Sequence, residues 1–187
     1  MPEFSFARWT APAVLAAALA SLTGTATAAT QSVDYGNLTA SATVLTPLDF
    51  GDNLFVDTFT TEHGALNQTT TFTLASAVDV SGLAGWIVDS AAGQGPRLVG
   101  VNIDILDGSN TVVLSDTFTG VLGGFAHSSF LGSLGPGTYT LSATGNAVRD
   151  ASLDISLSFA QPIPEPSAYA MLLGGLGLLG AMARRRS

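Results

Sequence analysis

The chain has 187 residues, a formal net charge of −8, no cysteine and no lysine. That length allows one domain with targeting segments at both ends, and the lack of cysteine excludes disulfides and thiolate chemistry. Between the termini only Arg97 and Arg149 offset the aspartates and glutamates, a balance that repels phosphate backbones and excludes nucleic-acid binding.

At the N-terminus Arg8 precedes an apolar run over 13–20, and small residues follow down to Ala26-Thr27-Ala28. A positive start, a short apolar centre and an A-x-A site describe a secretory signal peptide over 1–28. Ala26 and Ala28 occupy the two small positions of that site, and signal peptidase would cut after Ala28. The apolar centre is shorter than the roughly 20 residues a membrane span needs. The mature chain therefore folds outside the cytoplasm.

The body, 29–161, shows no sustained helical periodicity. Short β-branched runs are punctuated by glycine, asparagine and aspartate. Phe55-Val56-Asp57-Thr58-Phe59 matches the pattern F-x-D-x-F, and a strand would set Phe55, Asp57 and Phe59 on one face. On a core face the acid would have to find donors or stay protonated, and a structural aspartate bonded to loop amides is the plainer reading beside metal ligand or catalytic acid. Further strands are expected at 69–74 and 78–80. Gly82-Leu83-Ala84-Gly85 reads as a loop before Trp86, which either caps the core or offers a surface aromatic.

Residues 98–106 alternate through Val99, Val101, Ile103 and Ile105. Asp107-Gly108-Ser109-Asn110 then turns the chain and Thr111-Val112-Val113-Leu114 returns, which predicts a hairpin. Leu134-Gly135-Pro136-Gly137-Thr138-Tyr139 resembles the tyrosine corner of Greek-key sandwiches, so the Tyr139 phenol should reach back to Gly135. Strands at 138–143 and 153–159, with a loop around Gly145-Asn146, would form the last pair. The sum is an all-β fold, an antiparallel β-sandwich of Greek-key, immunoglobulin-like or jelly-roll-like type.

Pro162-Ile163-Pro164-Glu165-Pro166 is a stiff linker, because three prolines remove donors and fix the backbone near extended geometry. An uncharged apolar stretch follows over 168–183, before Arg184-Arg185-Arg186-Ser187. As a helix it would cover roughly 24 Å against a ~30 Å hydrocarbon core, a gap that snorkelling arginines can close. The arginine cluster stays cytoplasmic, which puts the body on the periplasmic side. Ala170, Gly174, Gly177 and Ala181 form a small-residue face, suited to close helix approach or to a helix of low stability.

These three parts in 162–187 together resemble the PEP-CTERM sorting domain. The resemblance implies that exosortase, a membrane protease or transpeptidase of Gram-negative bacteria, recognises Pro164, Glu165 and Pro166 and releases the body to the surface or matrix. The F-x-D-x-F pattern of Phe55, Asp57 and Phe59, with the late Gly-Thr-Tyr-Thr-Leu, resembles the FxDxF family of PEP-CTERM proteins. That resemblance carries no known activity.

His63 and His127 stand apart, and no HExxH, EF-hand, G-x-S-x-G or phosphate-loop pattern occurs. Neither a catalytic site, a metal nor a cofactor is expected. Two functions remain: a structural or adhesive surface component associated with exopolysaccharide, or a carbohydrate-binding module that presents Trp86, Phe125 or another aromatic to sugar rings. The expected partners are thus signal peptidase, exosortase, the membrane through the C-terminal helix, and polysaccharide.

Overall fold

The computed structural model describes residues 28–91, 93–162 and 171–176. Among them run eleven strands: β1 (Thr30–Tyr35), β2 (Thr39–Thr43), β3 (Asn53–Thr60), β4 (Gly64–Leu74), β5 (Val78–Ile87), β6 (Leu98–Leu106), β7 (Val112–Ser115), β8 (Thr117–Leu122), β9 (Phe125–Leu134), β10 (Gly137–Ala147) and β11 (Ala151–Ala160). They form a six-stranded sheet, β1-β3-β11-β5-β9-β8, and a five-stranded sheet, β2-β4-β10-β6-β7. The two sheets pack face to face as a sandwich.

Period-two alternation dictates which faces meet. In β11 Leu153, Ile155, Leu157 and Phe159 are buried while Ser152, Asp154, Ser156 and Ser158 point outward. Leu66, Phe72, Leu74, Ile103, Ile105 and Leu141 supply the opposing face. Phe72 joins the two sheets, its ring centroid 5.8 Å from Phe159 and 5.9 Å from Tyr139. The Tyr139 phenol donates to Gly135 O at 3.0 Å, as the tyrosine-corner pattern predicts.

Four features differ from the sequence expectations. The sheets are mixed and not purely antiparallel, because β1 pairs parallel to β3 and β2 parallel to β4. The cause is geometric: the β1–β2 segment crosses from the six-stranded to the five-stranded sheet beside β3–β4, which makes the same crossing in the same direction. Secondly, β10 and β11 do not pair. They lie in opposite sheets, and the link between them is held by Val148 N to Arg97 O at 2.9 Å and Arg97 N to Asp150 O at 2.7 Å. Gly145 and Asn146 belong to β10 itself, facing a bulge in β6 where Gly100 has φ 61°.

Thirdly, Gly82 to Gly85 lie inside β5 and form no loop. Gly82 is there because its neighbours fill the space. A Cβ would stand 2.5 Å from a Leu157 methyl and 2.7 Å from Ser156 O. Finally, Phe55, Asp57 and Phe59 share a face of β3 as expected, but that face points away from the core. Leu54, Val56, Thr58 and Thr60 point inward instead.

Residues 171–176 are helical, and among the described residues no helix is long and apolar enough to cross a membrane. The remainder of the expected 168–183 helix lies outside the described residues, as does the expected signal segment up to residue 27. Met171, Leu172, Leu173 and Leu176 are all exposed.

The packing around Gly82 yields a direct test. Gly82→Ala should destabilise the domain by about 1–3 kcal/mol, since the added methyl overpacks Leu157 and a backbone carbonyl. Chemical denaturation would measure it, and an unchanged midpoint would mean that β5 and β11 have room to separate.

Candidate functional site

The two outer faces differ in chemistry. On the five-stranded sheet, Thr39, Ser41, Thr43, Thr69, Thr71, Thr73, Thr138, Thr140, Ser142 and Thr144 alternate with the core residues, a small polar surface. The outer face of the six-stranded sheet instead carries Phe55, Phe59, Leu83, Phe125 and Leu131, all exposed. Phe59 is 64% and Leu131 84% exposed. Single exposed apolar residues are ordinary, whereas a large contiguous patch of them marks an interaction surface.

Cross-strand register brings three carboxylates into one row of that face. Asp34 on β1 is opposite Asp57 on β3, and Asp57 is opposite Asp154 on β11. The row continues through Gly85 on β5 to His127 on β9. Neighbouring strands lie about 4.7–4.9 Å apart, so like charges face each other at close range. Burial pushes the Asp57 carboxyl above its ordinary value of 3.8, with Asp154 and then Asp34 adding to the rise. Burial also raises Asp154.

Gly85 leaves the floor open between Asp154 and His127. The result is a shallow depression of ≈ 290 Å³, walled by Phe55, Leu83 and Ser156. A second lies on the other side of Asp57, between Asp34, Phe59 and Ser152. Phe55 and Phe59 are four residues apart on one strand, about 13 Å at the usual rise. Asp57 sits between them.

The sequence singled out Phe55, Asp57 and Phe59, and the fold keeps them together on this surface. Asp34, Leu83, His127 and Asp154 join them only through pairing between strands distant in sequence. Asp154 points outward with the serines of β11, and nothing in the sequence sets it beside Asp57. Trp86 is buried at 4% exposure, with the Phe118 ring 6.2 Å away.

Other candidates lie elsewhere. Asp107 caps its own turn, accepting from Ser109 N, Ser109 Oγ and Thr111 N, and those bonds hold its carboxyl below the ordinary value. Asp104 accepts from Ser115 Oγ and Asn102 Nδ2, both at 2.6 Å. His63 approaches Asp150 at 3.8 Å, away from His127. Among the described residues no group of three or more His, Asp or Glu side chains is placed to hold a metal ion. Ala28 is exposed and precedes β1, whereas Ala26, Pro164, Glu165 and Pro166 lie outside the described residues.

Residues 162–186 match the PEP-CTERM protein-sorting motif. The motif covers Pro164, Glu165 and Pro166, and it implies an exported protein, anchored at the membrane and then processed by exosortase. No curated protein matches the chain. Among solved structures it is similar to the pre-peptidase C-terminal domain of collagenase from Bacillus anthracis, with a TM-score of 0.40 and 14% identity over 66% of this chain and 100% of that one. At that level the likeness establishes no shared function.

The carboxylate row has a measurable cost. Both raised carboxyls bind protons more tightly folded than unfolded, so their contribution to stability is most favourable at low pH. It declines as pH rises from about 3.8 through the raised folded values. Asp57→Asn should therefore be more stable than the parent at pH 7, by roughly 0.2–1 kcal/mol, with the gap closing near pH 3. Paired urea titrations would read this. A variant less stable at pH 7 would mean that the Asp57 carboxylate has a favourable partner.

Proposed function

We infer that the protein is an exported, exosortase-processed surface or matrix component, whose sandwich adheres to exopolysaccharide through the outer face of the six-stranded sheet. The observation that carries this reading is the row of Phe55, Asp57 and Phe59 on that face, flanked by Asp34 and Asp154. Sugar rings present apolar C–H faces and hydroxyl donors. Phenylalanine rings suit the first and carboxylates accept from the second. An acidic face disfavours anionic glycans, so the ligand class is a neutral or amino-sugar polysaccharide.

The retained acids favour the same reading. Three like charges in a row cost stability, which fits a surface kept for contact. Within PEP-CTERM proteins, the F-x-D-x-F pattern of Phe55, Asp57 and Phe59 supports a reading as the FxDxF type. Its leader would be 1–28, its sandwich 29–161 and its sorting signal, with the transmembrane helix, 162–187. The reading assigns no catalytic residue and no cofactor.

A dedicated carbohydrate-binding module is the second reading. Burial of Trp86 removes its strongest platform, but exposed Phe125, Phe55 and Phe59 support it in part. Retention of the purified protein on exopolysaccharide from its host tests both. Joint Phe55→Ala and Phe59→Ala substitution should weaken retention about tenfold or more and leave the unfolding midpoint nearly unchanged, because both rings face solvent. Undiminished retention by the double variant would remove this face from the account.

A further inference from the structure

One buried carboxylate closes the start of the first strand. Asp52 is 8% exposed, and its Oδ1 accepts from Ala29 N at 2.6 Å while Oδ2 accepts from Asp49 N at 2.8 Å. The surrounding chain is held from other sides. Asn53 N donates to Ala29 O at 2.9 Å, Gly51 N to Phe159 O at 2.6 Å, and Phe159 N to Asp52 O at 3.1 Å. Gly51 has φ 90°, and a Cβ there would meet the Ala28 Cβ at 3.7 Å. Burying a carboxylate is costly, and two neutral amides are modest compensation for it. Ala29 is also the residue that signal-peptide removal after Ala28 would make the N-terminus.

We propose that Asp52 is the receptor for the α-ammonium group that cleavage between Ala28 and Ala29 creates, so that loss of the leader fastens β1 to the six-stranded sheet. The proposal rests on the export reading. Hydrolysis adds water across the Ala28–Ala29 bond. The hydroxyl joins the Ala28 carbonyl carbon, the C–N bond breaks, and the Ala29 nitrogen takes the hydrogen. The new acid then gives its proton to the new amine, leaving a carboxylate on Ala28 and an ammonium on Ala29. A nitrogen that faced Asp52 as an amide with one hydrogen now faces it as a cation with three. Charge-assisted hydrogen bonds are roughly twice as strong as neutral ones. In the folded domain the Ala29 nitrogen is engaged by Asp52, Ala29 is half-buried and Ala28 is exposed.

Because the chain has no lysine, the mature protein has one aliphatic amine, its N-terminus. The processed protein is recovered from the periplasm of an exporting host, and its N-terminal residue is read by mass. A terminus other than Ala29 overturns the leader boundary and this proposal together, whereas Ala29 upholds the boundary and leaves Asp52 to be tested alone. The amine is then titrated through the pH dependence of its reductive methylation. It should titrate about one unit or more above the usual 7.7–8.0, and Asp52→Asn should return it to that range with about tenfold faster methylation at pH 8. An ordinary value in the folded chain beginning at Ala29 overturns the proposal. Should Asp52→Asn fail to fold, a chain whose N-terminus is set at Ala28 takes its place. Its ammonium lies one residue further out and should titrate normally, and equal protection there would also overturn the assignment.

Discussion

The sandwich depends on two connections that change sheet at its lateral edges, β1 to β2 and β7 to β8. At one edge β1 passes into β2 through Gly36, Asn37 and Leu38, and a buried polar network fixes that bend. Gln68 accepts from the Thr58 hydroxyl at 2.7 Å and donates to Asn37 O at 2.7 Å. The Tyr35 phenol crosses the core to Thr69 O at 2.7 Å, and Glu62 accepts from Leu38 N at 2.7 Å. At the other edge Asp116 alone separates β7 from β8, its backbone and side chain both bonded to Ile103. Buried polar groups of this kind are costly if any partner is lost. They hold together two sheets whose edges would otherwise remain open.

That closure explains the acidic row. The bend at Gly36 delivers β1 parallel to β3, and the parallel register sets Asp34 opposite Asp57. β11 approaches β3 from the other side and sets Asp154 there too. The charges meet because the core residues between them must face inward. Leu54, Val56, Leu153 and Ile155 are all buried, so Asp57 and Asp154 have only the outer face left. The five-stranded sheet reaches solvent with threonine and serine in the equivalent positions, and the exposed phenylalanines of β3 have no counterpart there.

Local chemistry was legible in the sequence and long-range register was not. The β6–β7 hairpin follows from its Asp-Gly-Ser-Asn turn, and the tyrosine corner from Gly-Pro-Gly-Thr-Tyr, because both are set within a few residues. The alternation in β11 was readable for the same reason. In β3 the pattern F-x-D-x-F was read as core-facing on the strength of its aromatics, yet Leu54 and Val56 on the other face win the interior without having to bury a carboxylate. The glycines of β5 imitate a loop because the sequence does not display the Leu157 side chain that crowds Gly82. Parallel pairing of β1 with β3 leaves no local mark at all.

The chain joins a PEP-CTERM sorting motif to a β-sandwich, and the proposed function depends on release of that sandwich from the tail. The most direct test is the intact mass of the protein recovered from cell-surface and medium fractions of its native host, with and without exosortase. The account predicts a product that lacks everything beyond the Pro164-Glu165-Pro166 region and that disappears when exosortase is removed. A chain that keeps its full tail in the inner membrane whether or not exosortase is present would contradict it.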